Sequence, residues 1–239
     1  MNIVITGASK GIGYYTALNL ANKKEHKIFV LSRDVVGLKK LSDSINSENI
    51  ITVPCDITDE KSISESIQKI RRSVSSIEVL INNAGLLIKK PFRELTSADW
   101  QAVYNVNVFG VVNITRALLP LLLEGLISLK TSVRSHIVNI SSIGGVQGSI
   151  KFNGLSAYSS SKSALIGISE CLSEEYKTKG VYVNSIALGS VETEMFQTAF
   201  PGIKASVEVE DFSAWLADFA LHGFQFFNGK VIPVSNSTP

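Results

Sequence analysis

The sequence predicts an α/β fold, a doubly wound parallel sheet with helices on both faces. Three observations carry that expectation. Short apolar, β-branched runs alternate with longer helical stretches almost from end to end. Most of those runs are continuously apolar rather than alternating, as strands covered on both faces must be. The first run leads straight into a glycine-rich turn, Thr6-Gly7-Ala8-Ser9-Lys10-Gly11-Ile12-Gly13, with a helix behind it.

In chain order, seven strands are expected at 3–6, 28–32, 50–55, 79–82, 136–141, 181–187 and 231–234. Helices are expected between them, near 12–23, 35–46, 60–74, 97–125, 156–179 and 208–221. The least regular stretch, 189–207, is long for a connection and reads as a lid. A chain of 239 residues allows one large or two small domains at about 150 residues each. No linker, composition break or repeat divides it, so one domain over 1–239 is the simplest expectation.

Composition narrows the function classes. A formal charge of +2, from 23 basic and 21 acidic residues, gives no electrostatic footprint for nucleic acid or an acidic membrane. The basic doublets Lys23-Lys24, Lys39-Lys40, Arg71-Arg72 and Lys89-Lys90 read as solvated helix faces. Cys55 and Cys171 form no paired motif, so they read as small buried hydrophobes in a reducing compartment. His26, His136 and His222 have no partner at ligand spacing, and no metal site is expected. The first residues read as strand and turn rather than a secretion leader. The greasiest run, 118–129, contains Pro120, Glu124 and Gly125 and is shorter than the roughly 20 residues a bilayer span needs. A cytoplasmic protein is the resulting expectation.

Glycines between a strand and a helix let the backbone approach a pyrophosphate, which then sits on the helix's first amides. The candidate contacts are Gly7, Ser9, Lys10, Gly11, Ile12 and Gly13. The second strand ends at Ser32-Arg33, about 20 residues beyond the last glycine, where NAD-binding folds place an acid. Arg33 and Lys10 instead offer two cations for a 2′-phosphate, which favours NADP, although Asp34 follows one residue later.

Tyr158 and Lys162 stand four apart in an expected helix and so share a face. A tyrosine hydroxyl ordinarily titrates near pH ~10, and a neighbouring ammonium is expected to lower that value toward the range useful for proton transfer. Ser142 follows the strand 136–141, and Asn82-Asn83-Ala84-Gly85 ends the strand before it, both at the sheet edge where such folds bind ligands. Asn107 lies inside a long, otherwise apolar helical stretch, where a polar role is plausible.

Thr6–Gly13, Asn82–Gly85, Asn107, Ser142 and the Tyr158/Lys162 pair occur in the order in which the short-chain dehydrogenase/reductase family carries them. The chain resembles that family over nearly its whole length. The resemblance implies a Rossmann-type sheet of about seven strands in the order 3-2-1-4-5-6-7. It implies that Tyr158 exchanges a proton with the substrate oxygen while hydride moves to or from the nicotinamide. Ser142 would hold that oxygen, Lys162 the nicotinamide ribose, and Asn107 a relay water. Asp56 resembles the adenine-contacting acid of the family, and a helix N-cap-side acid is its other reading; Ile57 adjoins it. Asn83, Ala84 and Gly85 would line the adenosine-ribose side, although Asn82 and Asn83 equally suit bracing the sheet. Gly189, Val191 and Thr193 would lie along the nicotinamide. Where the family usually has Pro-Gly, this chain has Leu188-Gly189, and the Ser142–Tyr158 interval is about three residues longer than usual.

Met195, Phe196, Phe200 and Phe152 are candidates for an apolar substrate wall, with ordinary lid packing as the other reading; Glu192 and Glu194 either face solvent or repel anionic substrates at the mouth. The expected activity is NADP(H)-dependent reduction of a carbonyl, or oxidation of an alcohol, with an apolar-bodied small molecule. A non-catalytic dinucleotide-binding module, an epimerase or dehydratase on the same fold, and a 3-oxoacyl-thioester reductase are the alternatives. A homodimer or homotetramer is expected through the two long helices.

Overall fold

A computed structural model describes residues 1–44, 48–128 and 132–235. Seven parallel strands, β1 (Asn2–Thr6), β2 (Lys27–Ser32), β3 (Ile50–Pro54), β4 (Val79–Asn82), β5 (Ser135–Ser142), β6 (Val181–Leu188) and β7 (Val231–Val234), form one sheet in the order β3-β2-β1-β4-β5-β6-β7. Around it lie α1 (Gly11–Ala21), α2 (Val35–Ser44), α3 (Glu60–Arg71), α4 (Ser97–Tyr104), α5 (Val111–Leu123), α6 (Ser156–Tyr176), α7 (Glu194–Ala199) and α8 (Val209–His222).

The continuously apolar strands divide between two cores by simple alternation, since successive side chains leave a strand on opposite faces. Ile3 and Ile5 of β1, Ile28 and Val30 of β2, and Val79 and Ile81 of β4 enter one core with Ala17, Leu20, Phe212 and Leu216. Val4, Phe29, Leu31 and Leu80 enter the other with Ile67, Ile114 and Leu118. Each of these strand residues is sealed from solvent, and each contributes about 1.5–3 kcal/mol of transfer free energy. That two-sided burial explains the absence of polar alternation in the sequence.

The expected helix 97–125 ends at Leu123 and is not uniform. Between α4 and α5, residues Asn105–Gly110 form a π-helical stretch, and the three segments make one continuous helix of 27 residues. That helix is long and apolar enough by composition to cross a membrane, but Val111, Ile114, Leu118, Leu121 and Leu122 are buried inside the protein. The predicted end of the second helix, 45–46, lies outside the described residues, as does Leu129 of the apolar run. The stretch 189–207 holds a helical turn, α7, rather than irregular chain throughout. Cys55 is buried as expected, whereas Cys171 is exposed on α6, because the outer face of that helix carries it. Among the described residues no group of three or more histidine, cysteine or acidic side chains can hold a metal. His136 is instead a buried brace: Nδ1 pairs with Ala220 O and Nε2 with Asn184 Nδ2, each at 3.0 Å. Burial lowers its pKa to about 4, so it is neutral near pH 7.

Candidate active site

The order of the sheet reverses between β1 and β4, and the carboxyl ends of the strands on either side open there into a cleft of about 610 Å³. It runs from Ser32 and Arg33 at one end, past Ser142 and Tyr158, to Phe152 and Phe200 at the other.

The glycine turn is pressed against β4's extension. Gly7 has φ +68°, and a Cβ there would stand 2.7 Å from Ala84 Cα; one at Gly13 would stand 2.5 Å from Asn83 Nδ2. The Asn83 side-chain amide donates to Thr6 O and Gly7 O, both at 3.0 Å, and Thr6 Oγ1 accepts from the Asn83 and Ala84 amides, both at 3.1 Å. Asn83 therefore clamps the turn. Asn82 braces the sheet instead, donating to Asn139 Oδ1 at 2.8 Å and Thr115 Oγ1 at 3.0 Å. Gly11, with φ +59°, is open: a Cβ there meets only Thr193 Cγ2, at 3.8 Å. No side chain caps the N-terminus of α1. Open space beside uncapped amides is what a pyrophosphate requires.

At the Ser32–Arg33 end Ser32 Oγ donates to Ser9 Oγ at 3.0 Å, which ties β2 to the turn. Asp34, the apparent objection to NADP, accepts from the Gly37 amide at 2.9 Å and so serves the start of α2. Arg33 is exposed, with Nη1 3.6 Å from Asp56 Oδ2. Burial raises the Asp56 pKa, but the amide and hydroxyl of Thr58, together with Arg33, outweigh it, and the carboxyl stays below the ordinary range. The N-cap of α3 is Asp59, not Asp56. Ile57 also lines this end. Lys10 is engaged elsewhere: its Nζ is 2.7 Å from Oε2 of Glu194, the first residue of α7.

The middle of the cleft brings together Ser142 at the end of β5, Tyr158 and Lys162 from α6, and, behind them, Asn107 from the π-helical stretch. Local widening of a helix by a π turn is frequent at functional sites, and here it presents Asn107 to the loop after β4. Asn107 Nδ2 donates to Leu86 O and Ser161 Oγ, both at 2.9 Å, while Oδ1 accepts from the Leu86 amide at 2.7 Å. A Cβ at Gly85 would lie 3.6 Å from both Asn107 Oδ1 and Lys162 Nζ, so the three meet at one point.

The expected lowering of the Tyr158 pKa does not occur in this geometry. Desolvation pushes it up to about 12, and a hydrogen bond with Ser142 only partly offsets that rise. Lys162 is buried too, and its Nζ donates to Ile140 O at 2.7 Å, 5.8 Å from the Tyr158 ring centroid. Burial lowers its own pKa to about 8. Sharing a helix face puts the two residues side by side, but the low dielectric acts on both, and the carbonyl of Ile140 takes the ammonium.

At the far end Phe152, Phe196 and Phe200 all line the cleft, with Phe200 5.9 Å from Phe152 and 5.2 Å from Phe196 between ring centroids; Met195 joins them. The stretch 189–207 closes on itself through a parallel bridge, Val191 with Val207, and through the Ser190 and Ser206 hydroxyls at 2.9 Å. Thr193 N-caps α7 by accepting from the Phe196 amide. Glu192 is turned inward, onto Gln197 and the Ala205 amide, whereas Glu194 faces solvent as expected, paired at the surface with Lys10. Gly189 lies against Ser235, beside the end of β7.

The doublet Lys89-Lys90 is not a helix face. It lies in an irregular segment before Pro91, with Lys89 bound to Ala199 O at 2.7 Å and Lys90 to Asp99 at 2.8 Å. A proline immediately after the pair was the available signal, since the residue before proline avoids helical backbone.

Residues 1–204 match the family described as short chain dehydrogenase. This chain belongs to the short-chain dehydrogenase/reductase family. Among curated relatives, the ketoacyl reductase HetN of Nostoc sp. is 34% identical over 191 residues, 79% of this chain and 63% of HetN. An uncharacterized oxidoreductase of Staphylococcus saprophyticus is 30% identical and is matched over 93% of this chain and 90% of its own length. Among solved structures, ElxO with NADP bound is 28% identical with a TM-score of 0.82, over 98% of this chain and 96% of that one. The RhlG/NADP active-site complex from Pseudomonas aeruginosa, at 23% identity and a TM-score of 0.85, shares the fold over 99% of this chain and 95% of that one. As a short-chain dehydrogenase/reductase the chain is an oxidoreductase using a nicotinamide dinucleotide with a small-molecule substrate.

Proposed function

We propose that this short-chain dehydrogenase/reductase reduces carbonyls on apolar-bodied small molecules with NADPH, or oxidises the corresponding alcohols, in a single domain whose lid is 189–207. The observation that carries it is the meeting of Ser142, Tyr158 and Lys162 between an anion-ready glycine turn and an aromatic wall. The dinucleotide, when bound, supplies or accepts hydride. Gly7, Ser9, Gly11, Ile12 and Gly13 bring the backbone to its pyrophosphate, with Asn83, Ala84, Gly85, Ile57 and Asp56 on the adenosine side. Arg33, beside Ser32, and Lys10 once it leaves Glu194, answer the 2′-phosphate. Gly189, Val191 and Thr193 border the nicotinamide end.

Tyr158 and Ser142 share a hydrogen bond, so a substrate oxygen can take a place between their hydroxyls. Ser142 then stabilises developing charge on that oxygen, and Tyr158 donates its proton in reduction and recovers one in oxidation. A tyrosine near pKa 12 is a proton donor that stays protonated at neutral pH. Recovering the proton falls to the path behind it, where the Lys162 ammonium, with a pKa of about 8, can lose and regain one, and Asn107 fixes the loop over Lys162.

A second reading, reduction of 3-oxoacyl thioesters, is supported by the HetN relative's name. The assembly proposed is a homodimer or homotetramer, for which light scattering is the test. NADPH oxidation across ketones, aldehydes, quinones and 3-oxoacyl thioesters separates the substrate readings. Tyr158→Phe is expected to bind NADPH normally in a fluorescence titration while turnover falls about 10²–10⁴-fold. Turnover retained in that variant rejects Tyr158 as the acid.

A further inference from the structure

Lys89 belongs to none of the motifs, and it does not line the cleft. Yet three loops that share no strand or helix meet along its side chain. Nζ donates to Ala199 O, the last residue of α7, at 2.7 Å, and lies 4.2 Å from the centroid of the Phe200 ring. Its stem passes Gly154, whose φ of +82° favours glycine and where a Cβ would stand 3.1 Å from Lys89 Cγ, a close fit. The next residue fixes the approach: the Lys90 amide donates to Gly154 O at 3.0 Å, and Lys90 Nζ holds Asp99 at 2.8 Å. The loop after β4, the loop after β5 and the lid are thereby joined.

Phe200 is the link to the cleft. Its ring lines the cavity, contacts Phe152 at an interplanar angle of 76° and Phe196 at 34°, and carries the ammonium. Lys89 is exposed, and the carbonyl of Ala199 and the ring face of Phe200 are the two partners that hold its ammonium in place. If the lid swings out it loses both. A closed lid with Phe200 turned inward is therefore the arrangement Lys89 favours. The apolar wall it completes, with Phe152 edge-to-face and Phe196 tilted against Phe200, suits a flat ring rather than a charged or very small group.

We infer that Lys89 is a positioning residue that latches the C-terminal end of α7 and holds Phe200 as the wall of the substrate pocket, giving preference to carbonyl compounds with a flat apolar ring. The substrate half of this inference rests on the carbonyl-reductase activity proposed above; the latch does not.

Hydrogen exchange on the free chain tests the latch without turnover. In Lys89→Met the amides of 194–200 should exchange at least tenfold faster than in the unaltered chain, with Lys89→Arg restoring protection and NADPH affinity unchanged within twofold. Phe200→Leu should leave exchange at 194–199 near that of the unaltered chain. With an aryl ketone, Lys89→Met and Phe200→Leu should each raise KM about tenfold with kcat within threefold, while a small aliphatic ketone shows no change. Unchanged exchange in a folded Lys89→Met overturns the latch, and so does Lys89→Arg behaving like Lys89→Met. Equal KM changes for both ketones overturn the ring preference. If Lys89→Met fails to fold, Lys89→Gln and Lys89→Arg carry the same comparison. Absence of turnover with any carbonyl in the unaltered chain refutes the reductase activity and the ring preference with it, and the exchange result still decides for or against the latch.

Discussion

The two ends of the cleft are built by opposite means. At the glycine-turn end, backbone and short side chains at neighbouring strand tips lock one another: Asn83 to Thr6 and Gly7, Ser32 to Ser9, Asp56 to Thr58. At the aromatic end, long side chains span from loop to loop, and the wall is made of rings with one ammonium on Phe200. The first construction resists change because a sheet fixes where strand tips lie. The second depends on contacts that a single substitution can release, so specificity can drift there while the chemistry stays in place.

The junction between the two ends offers the largest effect. Lys162 has a pKa of about 8 in the folded chain and about 10.4 when unfolded, so the unfolded chain binds more protons between those values. Unfolding free energy should therefore rise with pH from 8 to 10.4, by at most roughly 3 kcal/mol, relative to Lys162→Met. Denaturant melts of both chains at several pH values check this; parallel curves would mean that the ammonium is not desolvated.

Charge at the adenosine end comes next. Arg33→Asp should weaken NADPH binding about 10- to 100-fold, the range for losing a charge-assisted hydrogen bond, and leave NADH within threefold. Equal losses in paired titrations would remove the case for NADP. The smallest effect belongs to the exposed Lys10–Glu194 pair, which couples the two ends. Glu194→Gln frees Lys10 and should tighten NADPH binding about two- to fivefold, with NADH unaffected, the modest scale of a surface ion pair. A weaker NADPH complex would contradict that competition and set Lys10 apart from the 2′-phosphate.

What was legible in the sequence follows the same division. The strands lie within one or two residues of their expected limits because burial on both faces leaves an uninterrupted apolar signature. Thr6–Gly13, Asn82–Gly85, Ser142, Tyr158 and Lys162 were readable because each sits at a strand tip or on one helix face, where local order and chain order coincide. Lys89 was not readable. Its partners, Ala199 and Phe200, are 110 and 111 residues away, and nothing in the local spacing announces them. The direction of the Tyr158 pKa was equally hidden, since the i, i+4 spacing shows proximity to Lys162 but not the depth of burial or the competing carbonyl of Ile140.

The sequence by itself determined the α/β architecture, the family and the residues that meet in the middle of the cleft, because these follow from periodicity and from motifs fixed to element ends. Only the tertiary structure decided that Asn83 clamps the glycine turn, that Lys10 is held by Glu194, and that Lys89 meets Ala199 and Phe200. Those are long-range pairings, set by how loops settle over a finished sheet, and no local pattern of residues encodes them.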